Sequence, residues 1–322
     1  MPARNGATTR VAPTKRWENC RPRTKKSARH FCSEAALRHN RMCSTMETET
    51  AAALKLVRDR LLRARKVVAF SGAGISEESG IPTFRGSGGL WNSHPIEEVA
   101  TPQAFQRNPK LVWDFYLERR RDALRAKPNP AHVAIAGWQE RFSFCGVVTQ
   151  NVDGLHRAAG SRNIQELHGN LWQSRCTQCE RVSEDRALEA RDLAPCTDCG
   201  GLMRPHIVWF GESLDPEVLA TSARWMRDAD MVFVIGTSGV VEPAASLVRD
   251  AKRCAVFTVE LNLSKTALTP VVDVSLFGKC GVIFSRADGS GLLEQAPNRR
   301  RTKLSRADGS GLPSSLRFED CP

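Results

Sequence analysis

The sequence predicts an α/β fold: a doubly wound parallel (Rossmann-like) sheet carrying a smaller inserted zinc-binding and helical domain. Three observations lead there. Short apolar runs with strand character recur at Val67–Phe70, Gly146–Thr149, Met231–Ile235, Val256–Glu260 and Val271–Val274. Helix-like segments alternate with them, among them Pro109–Lys127, Asn129–Gln139 and Pro216–Arg227, after a first helix at about Ala51 to Arg65. Two stretches, 86–128 and 171–204, break the alternation, and the second holds two close cysteine pairs. Strands that are apolar on both faces need cover on both faces, which a parallel sheet flanked by helices supplies. The expected folded domain is 46–290, its large part formed from about 50–85, 129–170 and 205–284, its small part from the two insertions.

A chain of 322 residues is long enough for such a domain, and 41% hydrophobic with 25% charged residues is ordinary for a globular protein. No apolar run reaches the length of a membrane-spanning helix, so no membrane partner is expected. The net charge of +12 suggests nucleic acid, but its placement argues against it. Residues 1–45 hold 11 Lys+Arg and 2 acidic residues, and 297–322 hold 6 and 3, leaving 30 of each sign for the body between. The basic excess therefore lies in two tails that read as solvated, disordered arms with no nucleic-acid requirement. Residues 1–45 read either as an extension upstream of a start at Met46, with a cytoplasmic protein, or as an Arg-rich transit segment, with a mitochondrial one. The octapeptide SRADGSGL stands at Ser285–Leu292 and again at Ser305–Leu312, too short for a solenoid repeat, and order is expected to fail after about 290.

Cys176-x2-Cys179 and Cys196-x2-Cys199 are separated by 16 residues. A CxxC turn aims two thiolates at one metal, and two such turns complete a tetrahedral zinc site with no position left open for water. The zinc is therefore expected to be structural, in a reducing compartment. The other cysteines read as ordinary thiols.

The run Val67–Phe70 ends in Ser71-Gly72-Ala73-Gly74, where glycines let the backbone turn tightly and approach a pyrophosphate. Alone this is a weak signal, because the third glycine of the dinucleotide fingerprint is missing. The full string GAGISEESGIPTFR, from Gly72 to Arg85, closely resembles the cofactor-binding signature of the sirtuin family. That resemblance implies NAD as cofactor and places Gly72, Ala73, Gly74, Phe84 and Arg85 beside it.

The second strand runs out into Gln150-Asn151-Val152-Asp153-Gly154-Leu155-His156. Amides and a carboxylate at a strand's carboxyl end suit a carboxamide and ribose hydroxyls. The string is similar to the sirtuin TQN(I/V)DxLH motif, which implies that Asn151 and Asp153 position nicotinamide and Gln150 meets the ribose. His168, in Leu167-His168-Gly169 just before the first cysteine pair, matches the family's catalytic histidine, and imidazole suits a general base. His156 is then structural.

Further elements carry the resemblance to about residue 283. Pro205–Glu212 matches the segment that grips acyl-lysine, implying that Val208 and Phe210 line its tunnel; an exposed strand edge there could bind peptide by strand addition. Gly236, Thr237 and Ser238, then Asn262 and Leu263, then Cys280, match the elements that hold phosphates, adenosine ribose and adenine. On the helix Pro109–Lys127, Tyr116 and Arg119 are three apart and share a face. This YxxR pair is similar to that of sirtuins preferring succinyl-, malonyl- or glutaryl-lysine, where a guanidinium clamps a distal carboxylate and a phenol adds a hydrogen bond. The implied activity is that of an NAD-dependent protein-lysine deacylase (class III type, desuccinylase or demalonylase). It would act on acylated-lysine proteins as a monomer and release nicotinamide and 2′-O-acyl-ADP-ribose. A mono-ADP-ribosyltransferase using the same pocket, or a non-enzymatic NAD and zinc scaffold, are the alternatives.

Overall fold

The computed structural model describes residues 50–82, 90–91, 94–189, 193 and 195–285. The basic segment 1–45, the tail 291–322 and both Phe84 and Arg85 lie outside the described residues. Every element below belongs to the unit that begins at Ala52.

Residues 52–63 are helical (α1), followed by β1 (Lys66–Ser71). Two short strands, β2 (Leu90–Trp91) and β3 (His94–Pro95), lead into α2 (Ile96–Val99), α3 (Pro102–Arg107) and α4 (Pro109–Arg125). Next come α5 (Pro130–Trp138), β4 (Phe144–Thr149), α6 (Leu155–Ala158), β5 (Ile164–Glu166), β6 (Gly169–Cys176), β7 (Val182–Glu184) and β8 (Met203–Ile207). The described part closes with α7 (Pro216–Arg227), β9 (Met231–Ile235), α8 (Ala244–Arg253), β10 (Phe257–Asn262), β11 (Val274–Phe277) and α9 (Cys280–Phe284).

Six strands form one parallel sheet in the order β11-β10-β9-β1-β4-β5. Period-2 alternation along each strand divides its side chains between two cores. Val67, Ala69, Val147, Phe233 and Ile235 face one layer, with Val57 and Leu61 of α1, Ile135 and Trp138 of α5 and Phe284 of α9. Val68, Phe70, Val148, Val232 and Val234 face the other, with Met226 of α7 and Leu247, Val248 and Ala251 of α8. Burial on both faces is why these strands read as continuous apolar runs rather than as alternating ones. Four of the described helices start where a side-chain acceptor and a proline coincide: Thr101 caps α3, Asn108 caps α4, Asn129 caps α5 and Asp215 caps α7, each followed by a proline.

The inserted elements make a second module. β6 pairs antiparallel with β7 and β8, and α4 packs against β6 and β8. Its core gathers Val99, Phe105, Val112, Phe115, Tyr116, Leu171, Ile207 and Trp209. Three expectations shift. β8 begins at Met203 and belongs to the small sheet, so a boundary at 205 falls inside a strand. The segment after Ile207 leaves the strand, so an exposed strand edge over Val208–Glu212 is not formed. β11 begins at Val274, because the residues just before it form a turn that Asp273 ties to Thr258.

Candidate active site and metal centre

β1 lies at the switch point of the sheet: the chain passes from it to β4 and β5 on one side, then to β9, β10 and β11 on the other. In open α/β sheets the ligand crevice forms there, beyond the carboxyl ends of the strands. The turns after β1 and β9 are locked together, with Gly72 N–H donating to the Ile235 carbonyl at 2.9 Å and Gly74 N–H to the Gly236 carbonyl at 2.8 Å. A Cβ on Gly74 would lie 2.8 Å from Gly236 Cα. At Gly236 it would lie 2.3 Å from Ile75 N, on a residue with φ of 60°. These glycines thus serve loop-on-loop packing, a use the Gly-x-Gly pattern alone does not disclose. Ala73, between Gly72 and Gly74, is exposed.

Beside these turns is a cavity of about 160 Å³ lined by Gly74, Glu77, Glu78, Gly236, Asn262, Leu263, Lys279 and Cys280. Five of these, Gly74, Gly236, Asn262, Leu263 and Cys280, are residues expected around the cofactor. Thr237 stands behind them, its hydroxyl accepting from Gln150 Nε2 at 3.0 Å and its carbonyl from Asn262 Nδ2 at 2.8 Å. Ser238 is exposed next to it. Glu78 accepts from Gly281 N–H at 2.8 Å and so ties the first turn to α9. Burial pushes the Cys280 thiol up to about 12, so it stays neutral. A larger cavity of about 350 Å³ lies between α4 and the small sheet, but its lining includes none of the residues expected at the cofactor.

A polar cluster forms where β4 ends. Asn151 Nδ2 donates to the Gly72 carbonyl at 3.1 Å and to Ser76 Oγ at 3.2 Å. Ser76 Oγ in turn donates to Asp153 at 2.8 Å, whose other oxygen accepts from Leu155 N–H at 2.8 Å. Burial raises the Asp153 pKa, opposed by those two hydrogen bonds and by the charge of Arg119. His168 Nδ1 lies 2.9 Å from the Gln150 carbonyl. A carbonyl only accepts, so Nδ1 carries the proton and Nε2 keeps a lone pair. Burial holds the His168 pKa below the ordinary imidazole value, which keeps that lone pair available at neutral pH.

Under this cluster runs a buried chain of which the sequence indicated only His156, as a structural histidine, and not its partners. His156 Nε2 is 2.8 Å from Ser71 Oγ, which donates to Thr149 Oγ1 at 2.8 Å, and Thr149 Oγ1 accepts from Asn151 N–H at 3.0 Å. The His132 ring stands 4.8 Å from that of His156. Position on α5 gave no spacing signal for His132, and the Ser71 and Thr149 hydroxyls looked like ordinary strand ends.

Tyr116 and Arg119 are both buried on the inner face of α4. The Tyr116 oxygen accepts from Trp209 Nε1 at 3.0 Å. Burial raises its pKa, so the phenol is neutral. Arg119 Nη1 is 3.9 Å from Asp122, and its charge also interacts with Asp153 and Tyr116, which puts it on the side of α4 toward the polar cluster. Val208 is half-buried and its N–H donates to the His168 carbonyl at 3.0 Å. Phe210 is 50% exposed, with its N–H on the Ala100 carbonyl at 3.0 Å, so the two modules meet along this segment.

The four cysteines converge on one point. Cys176 and Cys199 sulfurs are 3.5 Å apart, Cys179 and Cys196 sulfurs 3.7 Å, and all four lie within 4.8 Å of one another. Tetrahedral zinc with Zn–S bonds of about 2.3 Å sets its sulfurs roughly 3.8 Å apart, so the cage fits. Four protein thiolates leave no open position, which makes this a structural site.

A switch-point crevice with a polar Asn–Asp–His cluster at its mouth, and a four-cysteine zinc cage in the inserted module, are the features of a nucleotide-using enzyme. Residues 72–243 match the model of the Sir2 family. An NAD-dependent protein deacylase of Pyrococcus furiosus is 48% identical over 232 residues, 70% of this chain and 93% of the relative. NAD-dependent protein deacylase 2 of Pyrobaculum aerophilum is 46% identical over 249 residues, 77% of this chain and 97% of the relative. Among solved structures, a Sir2 homologue in complex with NAD is 45% identical with a TM-score of 0.67, covering 70% of this chain and 89% of that one. A Sir2 complex with a p53 peptide and NAD is 34% identical with a TM-score of 0.63, covering 71% and 94%. This chain belongs to the Sir2 family.

Proposed function

We propose that this Sir2 enzyme is a protein-lysine deacylase that removes succinyl, malonyl or glutaryl groups, and acetyl groups comparably or more weakly. The relatives' names support deacylation of protein substrates. The single observation behind the acidic preference is that α4 buries a guanidinium and a neutral phenol on one face, toward the polar cluster. A distal carboxylate would find there a bidentate cation and a hydrogen-bond donor, contacts that an acetyl group has no oxygens to make.

Bound NAD supplies a ribose carbon from which nicotinamide can leave. In this reading Asn151 and Asp153 orient the carboxamide, Gln150 meets the ribose, and the glycine turns with Thr237 and Ser238 hold the phosphates. Asn262, Leu263 and Cys280 take the adenosine. His168 Nε2 accepts a proton from a ribose hydroxyl, its other nitrogen held by the Gln150 carbonyl. Val208 and Phe210 flank the acyl-lysine, and the surrounding apolar module keeps water from the reacting centre.

The test is a panel of acetyl-, succinyl-, malonyl- and glutaryl-lysine peptides assayed with NAD. Arg119→Met should lower desuccinylation about 100-fold and leave deacetylation within about threefold, as expected for removing one charge-assisted contact. An equal fall in both activities would sink the assignment of Arg119 to selectivity. Transfer of ADP-ribose onto the peptide, seen by mass, would replace deacylation with the transferase reading.

A further inference from the structure

We propose that Trp209 is a positioning residue for acyl selectivity: its indole N–H fixes the direction in which Tyr116 donates its hydrogen bond. This rests on the reading that Tyr116 and Arg119 receive the acyl carboxylate.

Trp209 comes from the segment after β8 and Tyr116 from α4, so the contact joins two elements far apart in sequence. The indole has one donor and no acceptor, and at 3.0 Å it can only donate to the phenol oxygen. A phenol hydrogen lies in the ring plane, on one of two sides. With the indole N–H filling the acceptor on one side, the hydrogen is left on the other. Among the described residues no second hydrogen bond to the Tyr116 hydroxyl is present, so its proton is available to a substrate acceptor. A phenol that accepts one hydrogen bond is also a stronger donor in the next.

Trp209 is itself held on three sides. Its backbone N–H donates to Glu212 Oε2 at 2.8 Å, and the Arg204 guanidinium lies 3.4 Å from the ring centroid. Arg204 grips Glu212 through both nitrogens, at 2.5 and 2.9 Å, and donates to the Ile207 carbonyl at 2.7 Å. A cation on the indole face makes the N–H a better donor. The same pairing neutralises Glu212, which would otherwise repel an incoming carboxylate. The Phe105 ring packs 5.3 Å away. A buried tryptophan serving the core alone needs only its ring; here the nitrogen has a partner that the selectivity reading uses.

Trp209→Phe keeps an aromatic ring and deletes the donor. Desuccinylation should lose about tenfold in kcat/KM, mostly through KM, with deacetylation within about twofold, the scale of one hydrogen bond to a charged acceptor. In a Tyr116→Phe background the same change should have no further effect on the succinyl-to-acetyl ratio. Replacing Trp209 with 3-benzothienylalanine, which exchanges N–H for sulfur at nearly constant shape, covers the case in which Trp209→Phe does not fold. Equal losses on both peptides, or an unchanged ratio in the folded variants, would overturn the proposal. A wild-type enzyme that does not remove succinyl groups would instead overturn the underlying reading, and that is seen before any variant is made.

Discussion

The parallel sheet and the inserted module are stabilised by different physics. The sheet buries Val, Ile and Phe on two faces, and strand register alone brings Gly72, Asn151 and Gly236 to one edge. The module has one small core, rich in aromatics, under a three-stranded sheet, and relies on four thiolates around a metal. Residues assigned to the cofactor come mostly from the sheet, and those assigned to the acyl group mostly from the module. On that proposed assignment the cofactor chemistry rests on the turns of the parallel sheet, and acyl selectivity on the aromatic core of the module.

The largest effect should come from breaking the module at its metal. Structural zinc contributes on the order of 10 kcal/mol or more in small domains, comparable to the whole stability of a typical protein. Cys196→Ser should lose zinc and turnover together, with the far-UV helix and sheet signal of the larger half retained. His168→Ala should abolish turnover with zinc content unchanged. A Cys196→Ser protein that stays active would show that the platform does not depend on its metal. An intermediate effect is expected where the two turns of the sheet touch. Gly236→Ala puts a Cβ 2.3 Å from Ile75 N on a left-handed residue, and should cost about 3 kcal/mol or more by thermal melting. It should also raise the KM for NAD with little effect on acyl selectivity.

Legibility in the sequence followed the same division. Apolar runs located five of the six parallel strands to within a few residues, since strands buried on both faces have few alternatives; β5, a short half-buried edge strand, left no such run. The CxxC spacing located the zinc cage, because coordination geometry restricts the ligands' separation. Of the buried Ser71–Thr149–His156 chain only His156 was legible, as a structural histidine: the two hydroxyls are ordinary in sequence, and only the parallel register brings Ser71 opposite Thr149. The Trp209–Tyr116 contact was hidden for a related reason, since 93 residues separate its partners and no local pattern reports it. Helix spacing placed Tyr116 and Arg119 on one face, but whether that face turned inward was a tertiary fact.

The smallest expected effect is on acid stability, and it tests whether the sheet's buried histidines matter apart from the zinc. Both ring nitrogens of His132 are buried, with no hydrogen-bond partner among the described residues, and burial lowers its pKa to about 4. An unfolded chain returns it to about 6.5. The folded-state pKa is depressed, so the stabilising contribution is fully present above about 6.5 and is lost as pH falls toward 4. Its full size is about 3 kcal/mol from a shift of that extent. His156, lowered by burial and by its neighbour His132, works in the same direction. Acid also protonates the zinc thiolates, so wild-type melts alone would mix the two halves of the molecule. His132→Leu removes one contribution and leaves the metal untouched. Between about pH 7 and 4.5 its stability in urea should fall by about 2 kcal/mol less than that of the wild type, and at neutral pH it should match or exceed it. Parallel pH curves for the two proteins would assign the acid sensitivity to the zinc module instead.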